Sequence, residues 1–284
     1  LSGIEMRFLP RFDANEVVRQ LSEITVMMGV PTFYSRLLQT PGFDKTGCKN
    51  MRLFISGSAP LLEQTWQAFF EQTGHRILER YGMSEAVMIA SNPLDGDRIP
   101  GTVGFALPEI SVRICDADNK VLGPGETGVL QMRGPNVFKG YWQMPEKTAS
   151  EFTDDGFFIS GDMAQMDEAG RVTIIGREKD LVISGGLNIY PKEIEEAIDT
   201  LEGVSETAVI GVPHADLGEG LVAVICPHEG AKIDPDAMIT ALKSRLAGFK
   251  VPRRIFTVDE LPRNSMGKVQ KNLLREKFED AFKA

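Results

Sequence analysis

The stretch from Gly176 to Glu195, GREKDLVISGGLNIYPKEIE, constrains the architecture of this chain more than any other. A charged cluster of Arg177, Glu178, Lys179 and Asp180 leads into the apolar triplet Leu181, Val182 and Ile183, then into the bare pair Gly185 and Gly186, with Pro191 standing before a helical pattern. The order reads as strand, turn and helix start. Pro fits the first helical turn, where its missing N–H costs no hydrogen bond, and Glu193, Glu195 and Glu196 lie near the positive end of a helix predicted over Lys192 to Leu201. A glycine pair at a strand end lets another backbone or a thin ligand come very close, because no Cβ intervenes; it equally suits an ordinary tight turn before an amphipathic helix. The charged cluster also marks a change of pattern, and the domain boundary is placed at Lys179, giving segments 1–178 and 179–284.

N-terminal to that boundary, apolar runs alternate with helical periodicity. Ile24 to Val30 ends at Pro31 and is followed by a helix over Thr32 to Gln39. Met51 to Ser56 is a buried run broken by Gly57 and Ser58. Leu61 to Thr73 then carries Leu62, Trp66, Phe69 and Phe70 on one side of a helix, and Arg76 to Tyr81 reads as a strand. Strands alternating with helices imply a parallel sheet. After Pro100 the texture becomes short alternating runs, Val112 to Cys115, Gly128 to Met132 and Val172 to Ile175, which suits an antiparallel sheet or partial barrel. Beyond Lys179 the order strand, helix, strand, strand, helix, strand, helix describes a compact α+β unit.

A chain of 284 residues with 42% hydrophobic residues can bury one large or two modest cores. Its formal charge of −9 argues against a nucleic-acid surface, although Arg253, Arg254, Arg263, Lys268 and Lys271 gather toward the C-terminus, where they could meet a polyphosphate or simply form a solvated face. Cys48, Cys115 and Cys226 are odd in number and widely spaced, which fits no disulfide framework or metal cluster and suits a reducing cytoplasm. No apolar run reaches membrane-spanning length and no signal peptide or lipidation motif is found, so a soluble chain is expected. Leu1 is not an initiator methionine, and the chain reads as part of something longer.

Four motifs carry chemistry. In ISGSAPL, Ile55 to Leu61, a strand runs into Gly57, Ser58 and Ala59, small residues that leave a shelf on which a flat ring can lie. In ERYGMSE, Glu79 to Glu85, Tyr81 can stack on a base, Gly82 permits close backbone approach, Ser84 offers a hydroxyl to phosphate, and Glu85 supplies a carboxylate for Mg²⁺. In GFFISGDMAQMDEAGRVTIIGR, Asp162 follows a Gly turn and can accept hydrogen bonds from the two hydroxyls of a ribose, with Arg177 as a further donor to the same sugar. In LPRNSMGKVQKNLLRE, Lys268 follows Gly267 and precedes a helix expected to begin near Val269. Taken singly, each of these residues is also compatible with an ordinary turn or a solvated charge.

Their order along the chain resembles the C-terminal part of the adenylate-forming acyl-CoA synthetase superfamily over essentially the whole sequence. The resemblance implies an α/β fold: part of a large domain, with a partial parallel sheet and a small antiparallel barrel, followed by a small mobile α+β domain hinged at Lys179. It also implies the reaction. A carboxylate attacks the α-phosphate of Mg-ATP to give acyl-AMP, and the CoA thiol then displaces AMP while the small domain rotates between the steps. On this reading the Gly57 shelf holds adenine, Lys268 stabilises the charge developing during adenylation, and Gly185 and Gly186 line the pantetheine channel. The family usually has Thr where this chain has Ser84, so the hydroxyl is kept and the methyl lost.

Within the superfamily, VPTFYSRLLQ, MRLFISGSAPL, SNPLDGDRIPGTVG and RGPNVFKGYW are nearest to malonyl-CoA synthetases, which implies malonate or methylmalonate as substrate. A dicarboxylate needs a cation for the carboxylate that does not react, and Arg98 is the candidate; the alternative is an Arg capping an acidic turn with Asp95 and Asp97. The family's Ser/Thr/Gly-rich phosphate loop with its lysine is absent from these residues, so they are expected not to adenylate on their own, the missing N-terminal part being needed. The resemblance further implies a lysine acetyltransferase acting on Lys268, since loss of its charge would abolish the electrostatic role while barely altering the fold. Other readings are a synthetase for another small or fatty acid, an adenylation domain that loads a carrier protein, or a non-catalytic nucleotide-binding module.

Overall fold

A computed structural model describes residues 3–264 and 267–283. Ser265 and Met266, inside the motif that contains Lys268, lie outside the described residues. Tertiary contacts gather into two compact units, Leu1–Pro108 and Glu109–Ala284, and each is described by itself.

In the first unit the order is α1 (Ala14–Gln20), β1 (Val26–Gly29), α2 (Pro31–Leu38), β2 (Leu53–Ser56), α3 (Glu63–Thr73), β3 (Leu78–Tyr81), β4 (Ala90–Ser91) and β5 (Phe105–Ala106). The strands form one sheet in sequence order, with β1, β2 and β3 parallel and β4 and β5 added antiparallel. The two-residue alternation of the strands sorts their side chains. Met27 and Phe54 enter a core built with Val17, Tyr34, Leu37, Trp66 and Phe69 from the helices, whereas Leu53, Ile55 and Leu78 form a separate buried cluster. The polar ends of the buried aromatics are satisfied by strand carbonyls: Tyr34 OH donates to Ile55 O at 2.5 Å and Trp66 Nε1 to Ile77 O at 3.0 Å. Pro31 occupies the first turn of α2, as its fixed φ favours. Helix α3 begins two residues later than its periodicity suggests, because Leu62 is extended (φ −65°, ψ 135°) and Leu61 plugs the core before the helix starts.

The second unit opens with β6 (Ser111–Cys115), β7 (Gly128–Arg133), α4 (Pro145–Ser150), β8 (Phe158–Met166) and β9 (Val172–Arg177), whose strands make a four-stranded antiparallel meander. One tight turn over Glu178–Asp180 leads to β10 (Val182–Ser184), β11 (Leu187–Ile189), α5 (Pro191–Asp199), β12 (Val204–His214), β13 (Gly218–Pro227), α6 (Pro235–Lys243), β14 (Arg254–Thr257) and α7 (Lys271–Lys277). The second sheet runs β11, β10, β13, β12, with β14 parallel to β13. Strands β12 and β13 are near-continuous apolar runs because both faces are covered. Val209, Leu221, Ala223 and Ile225 pack with Ile194, Ile198, Met238 and Leu242 of α5 and α6, while Ile210, Val222 and Val224 pack with Leu261 and Leu274 on the other face.

The structure departs from the sequence pattern in three places. The segment after Lys179 holds one strand more than its pattern suggested, since Leu187–Ile189 pairs back on β10. Asp162 lies within the long strand β8 rather than in a turn, for the positive φ of Gly161 (67°) bends the strand without ending it. Helix α7 starts at Lys271, not near Val269, because Val269 is extended and bridges Arg263.

Candidate functional site

In the first unit, the carboxyl ends of the parallel strands bring two motifs side by side. The register sets Ser56 opposite Glu79, so Gly57, Ser58 and Ala59 leave β2 next to Arg80 and Tyr81, the last residues of β3, and Gly82 after them. Gly57 lies against that strand: a Cβ there would stand in ordinary contact with the Arg80 carbonyl, at 3.5 Å, and with Arg80 Cγ, at 3.9 Å. Ser58 is a non-glycine residue at φ 70°, in the left-handed region that stores local strain, and Ala59 is exposed beside it. Gly82 is required by its own loop: a Cβ would lie 1.9 Å from the Val87 carbonyl oxygen. That loop also holds Val87 at φ 56°, an unusual setting for a β-branched side chain. Ser84 is exposed and Glu85 half-buried on it, and Tyr81 is half-buried at the end of β3.

Arg98 does not face open space. Its Nε donates to Pro93 O at 3.2 Å, Nη1 to Arg76 O at 2.6 Å and Nη2 to Leu94 O at 2.7 Å. Each nitrogen thus already serves a carbonyl of its own loop or of Arg76, and burial holds its pKa below the usual range against the opposing pull of Asp95. Arg80 is placed differently. It sits between the buried Glu79 and Tyr81, half-buried, and its guanidinium reaches Met28 Sδ at 3.6 Å, across the ends of β1 and β2. A thioether is a weak acceptor, so this guanidinium keeps most of its donor capacity. The available signal was positional: Arg80 directly precedes the Tyr-Gly pair at a strand's carboxyl end, where ligands of open α/β sheets bind.

In the second unit, Asp162 and Arg177 are cross-strand partners on β8 and β9, and Arg177 Nε meets Asp162 Oδ1 at 2.9 Å. The Asp162 side chain is 5% exposed and that of Arg177 43%, so the carboxylate is held at the base of the pair and the guanidinium reaches out. Lys179 is exposed in the turn between β9 and β10. Around that turn, Arg275 of α7 pairs with Asp180 at 2.8 Å, and Lys192 of α5 donates to Ile174 O of β9 at 2.7 Å.

Gly185 and Gly186 are the two-residue turn of the β10–β11 hairpin, at φ 58° and 80°. The positive φ at both positions is what demands glycine, as in a type I′ turn; open space surrounds Gly186 and only Leu217 Cδ2 lies near Gly185, at 3.4 Å. Gly185 borders an open cleft of about 490 Å³ that Phe249, Lys243 and Arg253 also line. Lys268 stands elsewhere on the same sheet. Its hairpin is closed by Asn264 N to Lys268 O at 3.0 Å and Lys268 N to Asn264 Oδ1 at 3.0 Å, and is tied to Glu206 near the start of β12 through Arg263. The glycine turn adjoins Gly218 at the far end of the β12–β13 hairpin. Eight residues of strand separate Glu206 from His214, the partner of Gly218, or roughly 26 Å at the rise of a β-strand.

Among the described residues no group of three or more metal-ligating side chains occurs. The single carboxylate of Glu85 beside the Ser84 hydroxyl is a hard-oxygen set suited to Mg²⁺ that arrives on a polyphosphate and needs few protein ligands. Also among the described residues, no helix is long and apolar enough to cross a membrane.

A family model described as AMP-binding enzyme matches residues 1–142, and one described as AMP-binding enzyme C-terminal domain matches residues 193–268. Malonate–CoA ligase of Arabidopsis thaliana is 37% identical over 97% of this chain and 50% of its own length. Long-chain-fatty-acid–CoA ligase of Bacillus subtilis is also 37% identical, over 98% of this chain and 50% of its own length. The crystal structure of ATP-bound MatB from Rhodopseudomonas palustris superposes with a TM-score of 0.95 at 57% identity, covering 97% of this chain and 55% of that one. The chain therefore spans about half the length of the relatives it matches.

Proposed function

The chain belongs to the AMP-binding enzyme family, and from that premise we propose that the polypeptide carrying it joins malonate, or methylmalonate, to CoA through an acyl-AMP formed from ATP. Small residues at Gly57 to Ala59 and the ring of Tyr81 frame the adenine, and the Asp162–Arg177 pair meets the ribose. Ser84 and Glu85 serve the phosphates, with Mg²⁺ on Glu85 neutralising their charge when bound. Lys268 supplies the positive charge for adenylation. Gly185 and Gly186 pass the pantetheine arm, and Lys243 and Arg253 in the adjoining cleft suit the phosphates of CoA. The separation of Lys268 from the glycine turn, at opposite ends of one sheet, supports a domain that presents a different end in each half-reaction about Lys179, with 1–178 and 179–284 as the moving parts.

Identity alone does not choose the acid, since malonate and long-chain ligases match equally well. The observation that carries the dicarboxylate reading is Arg80, a guanidinium at the carboxyl end of the parallel sheet beside the nucleotide motif, with a thioether as its near neighbour. It is better placed than Arg98 to bind the carboxylate that does not react, because the Arg98 nitrogens already serve backbone carbonyls. The test compares Arg80→Gln and Arg98→Gln in the full-length polypeptide with malonate and with butyrate. A lost charge-assisted carboxylate contact of about 2–3 kcal/mol lowers kcat/KM for malonate by on the order of 100-fold in Arg80→Gln and leaves butyrate unchanged. Equal losses for both acids in Arg80→Gln would remove Arg80 from substrate recognition.

A further inference from the structure

The hairpin that presents Lys268 is tied at both ends to carboxylates from other elements. On its incoming side, Arg263 ion-pairs with Glu206 of β12 and donates from Nη1 to the Gly267 carbonyl at 2.7 Å. On its outgoing side, Lys271, the first residue of α7, meets Glu195 of α5 at 2.6 Å, with both side chains only 18% exposed. Glu195 is more than a surface charge: the same Oε1 accepts the N–H of Val209 at 2.7 Å, an outward-facing donor of the edge strand β12. Since α5 and α7 cover opposite faces of this sheet, the Glu195–Lys271 pair wraps around its β12 edge. Between the two clamped cations stands Lys268, half-buried, for which no ion pair exists among the described residues.

We propose that Glu195 and Glu206 are positioning residues for Lys268: they pin both sides of its hairpin to helix and sheet and neutralise Arg263 and Lys271, so that the Lys268 ammonium is the charge the hairpin delivers. The proposal rests on the reading of Lys268 as the adenylating cation. A lysine rides on a flexible four-carbon stem, so the precision of its charge comes from the backbone beneath it. Electrostatic stabilisation of a transition state requires that charge to be in place beforehand, and a misplacement of about 1 Å costs on the order of 100-fold in rate. The clamp has no such task in the second half-reaction, in which the glycine turn at the far end of the sheet takes part.

The test uses Glu195→Gln and Glu206→Gln in the full-length polypeptide and measures the half-reactions apart: malonate-dependent exchange of pyrophosphate into ATP, and thioester formation from synthetic malonyl-AMP and CoA. Each substitution is expected to slow the exchange by about 10-fold to 100-fold while thioester formation stays within about twofold. Glu206→Asp, which retains the charge, recovers most of the loss. Hydrogen exchange at the amides of Gly267 and Gln270, which donate to Asn264 O and Pro262 O, speeds up in Glu206→Gln while the β12–β13 ladder stays protected. Equal slowing of both half-reactions, or an unchanged pyrophosphate exchange, overturns the proposal. A wild-type polypeptide that exchanges no pyrophosphate condemns the functional reading instead, and unaltered protection at Gly267 and Gln270 in Glu206→Gln then decides against the clamp independently.

Discussion

Asp199 is the last residue of α5, where the partial negative charge of the helix terminus opposes a carboxylate, and its Oδ1 is buried with no hydrogen-bond partner among the described residues. Burial, with the neighbouring Glu195, Glu206 and Glu196 adding to it and the Thr207 hydroxyl opposing, pushes its pKa from 3.8 up to about 7. Because the folded value lies above the unfolded one, the stability contributed by this group is fully present below about 4 and is lost as pH rises through about 7. A rise from 3.8 to about 7 corresponds to about 4 kcal/mol that the folded state loses by about pH 8 relative to the protonated form. Asp199→Asn mimics that protonated form at every pH. The variant should therefore exceed the wild type in unfolding free energy by about 4 kcal/mol near pH 8 and by under about 2 kcal/mol near pH 5. Urea titrations of both proteins at the two pH values give this difference of differences, from which the titrations shared by both chains cancel. A gap between variant and wild type that is the same at both pH values refutes the reasoning.

Two further outcomes follow from local geometry. Gly82→Ala sets a methyl group 1.9 Å from a backbone oxygen that no rotamer change can move, and should cost on the order of 3 kcal/mol, read as a lower thermal midpoint, with the Val87 loop losing hydrogen-exchange protection first. An unchanged midpoint would show that the loop yields freely. Asp162→Ala removes both the charge and the acceptor beneath Arg177, whose own side chain is 43% exposed and stays in reach of water, and should destabilise by about 1–2 kcal/mol, whereas Asp162→Asn, which keeps an acceptor for the guanidinium, costs less; equal losses in a urea titration would show that the retained acceptor contributes nothing and overturn this ordering.

The candidate site was legible to the extent that its residues sit at the ends of recognisable elements. Gly57 stands where an apolar run stops and Tyr81 in a motif at the end of a strand pattern, and parallel pairing places their strand ends together. Arg80, the residue proposed for the second carboxylate, carries no such mark, because a charged residue inside a strand pattern reads as a solvated side chain until the register shows what it leans over. Arg98 reads in the sequence as a fork of donors near an acidic turn, and nothing local announces that those donors turn back onto carbonyls. The Glu195 and Glu206 partners of Lys271 and Arg263 lie 76 and 57 residues away along the chain, beyond the reach of any periodicity.

Hydrophobic periodicity and the positions of Pro31 and Pro191 by themselves determined β1 to β3 with α2 and α3, and the alternation of strands and helices after Lys179 apart from the short β11, because backbone sterics and side-chain period act within a few residues. Which charged groups face one another, which glycine is required by φ and which by a neighbouring backbone, and that Lys268 and the Gly185–Gly186 turn mark opposite ends of one sheet were decided only in the tertiary structure. Coulombic and steric contacts depend on distance in space, and strand pairing alone converts separation along the chain into that distance.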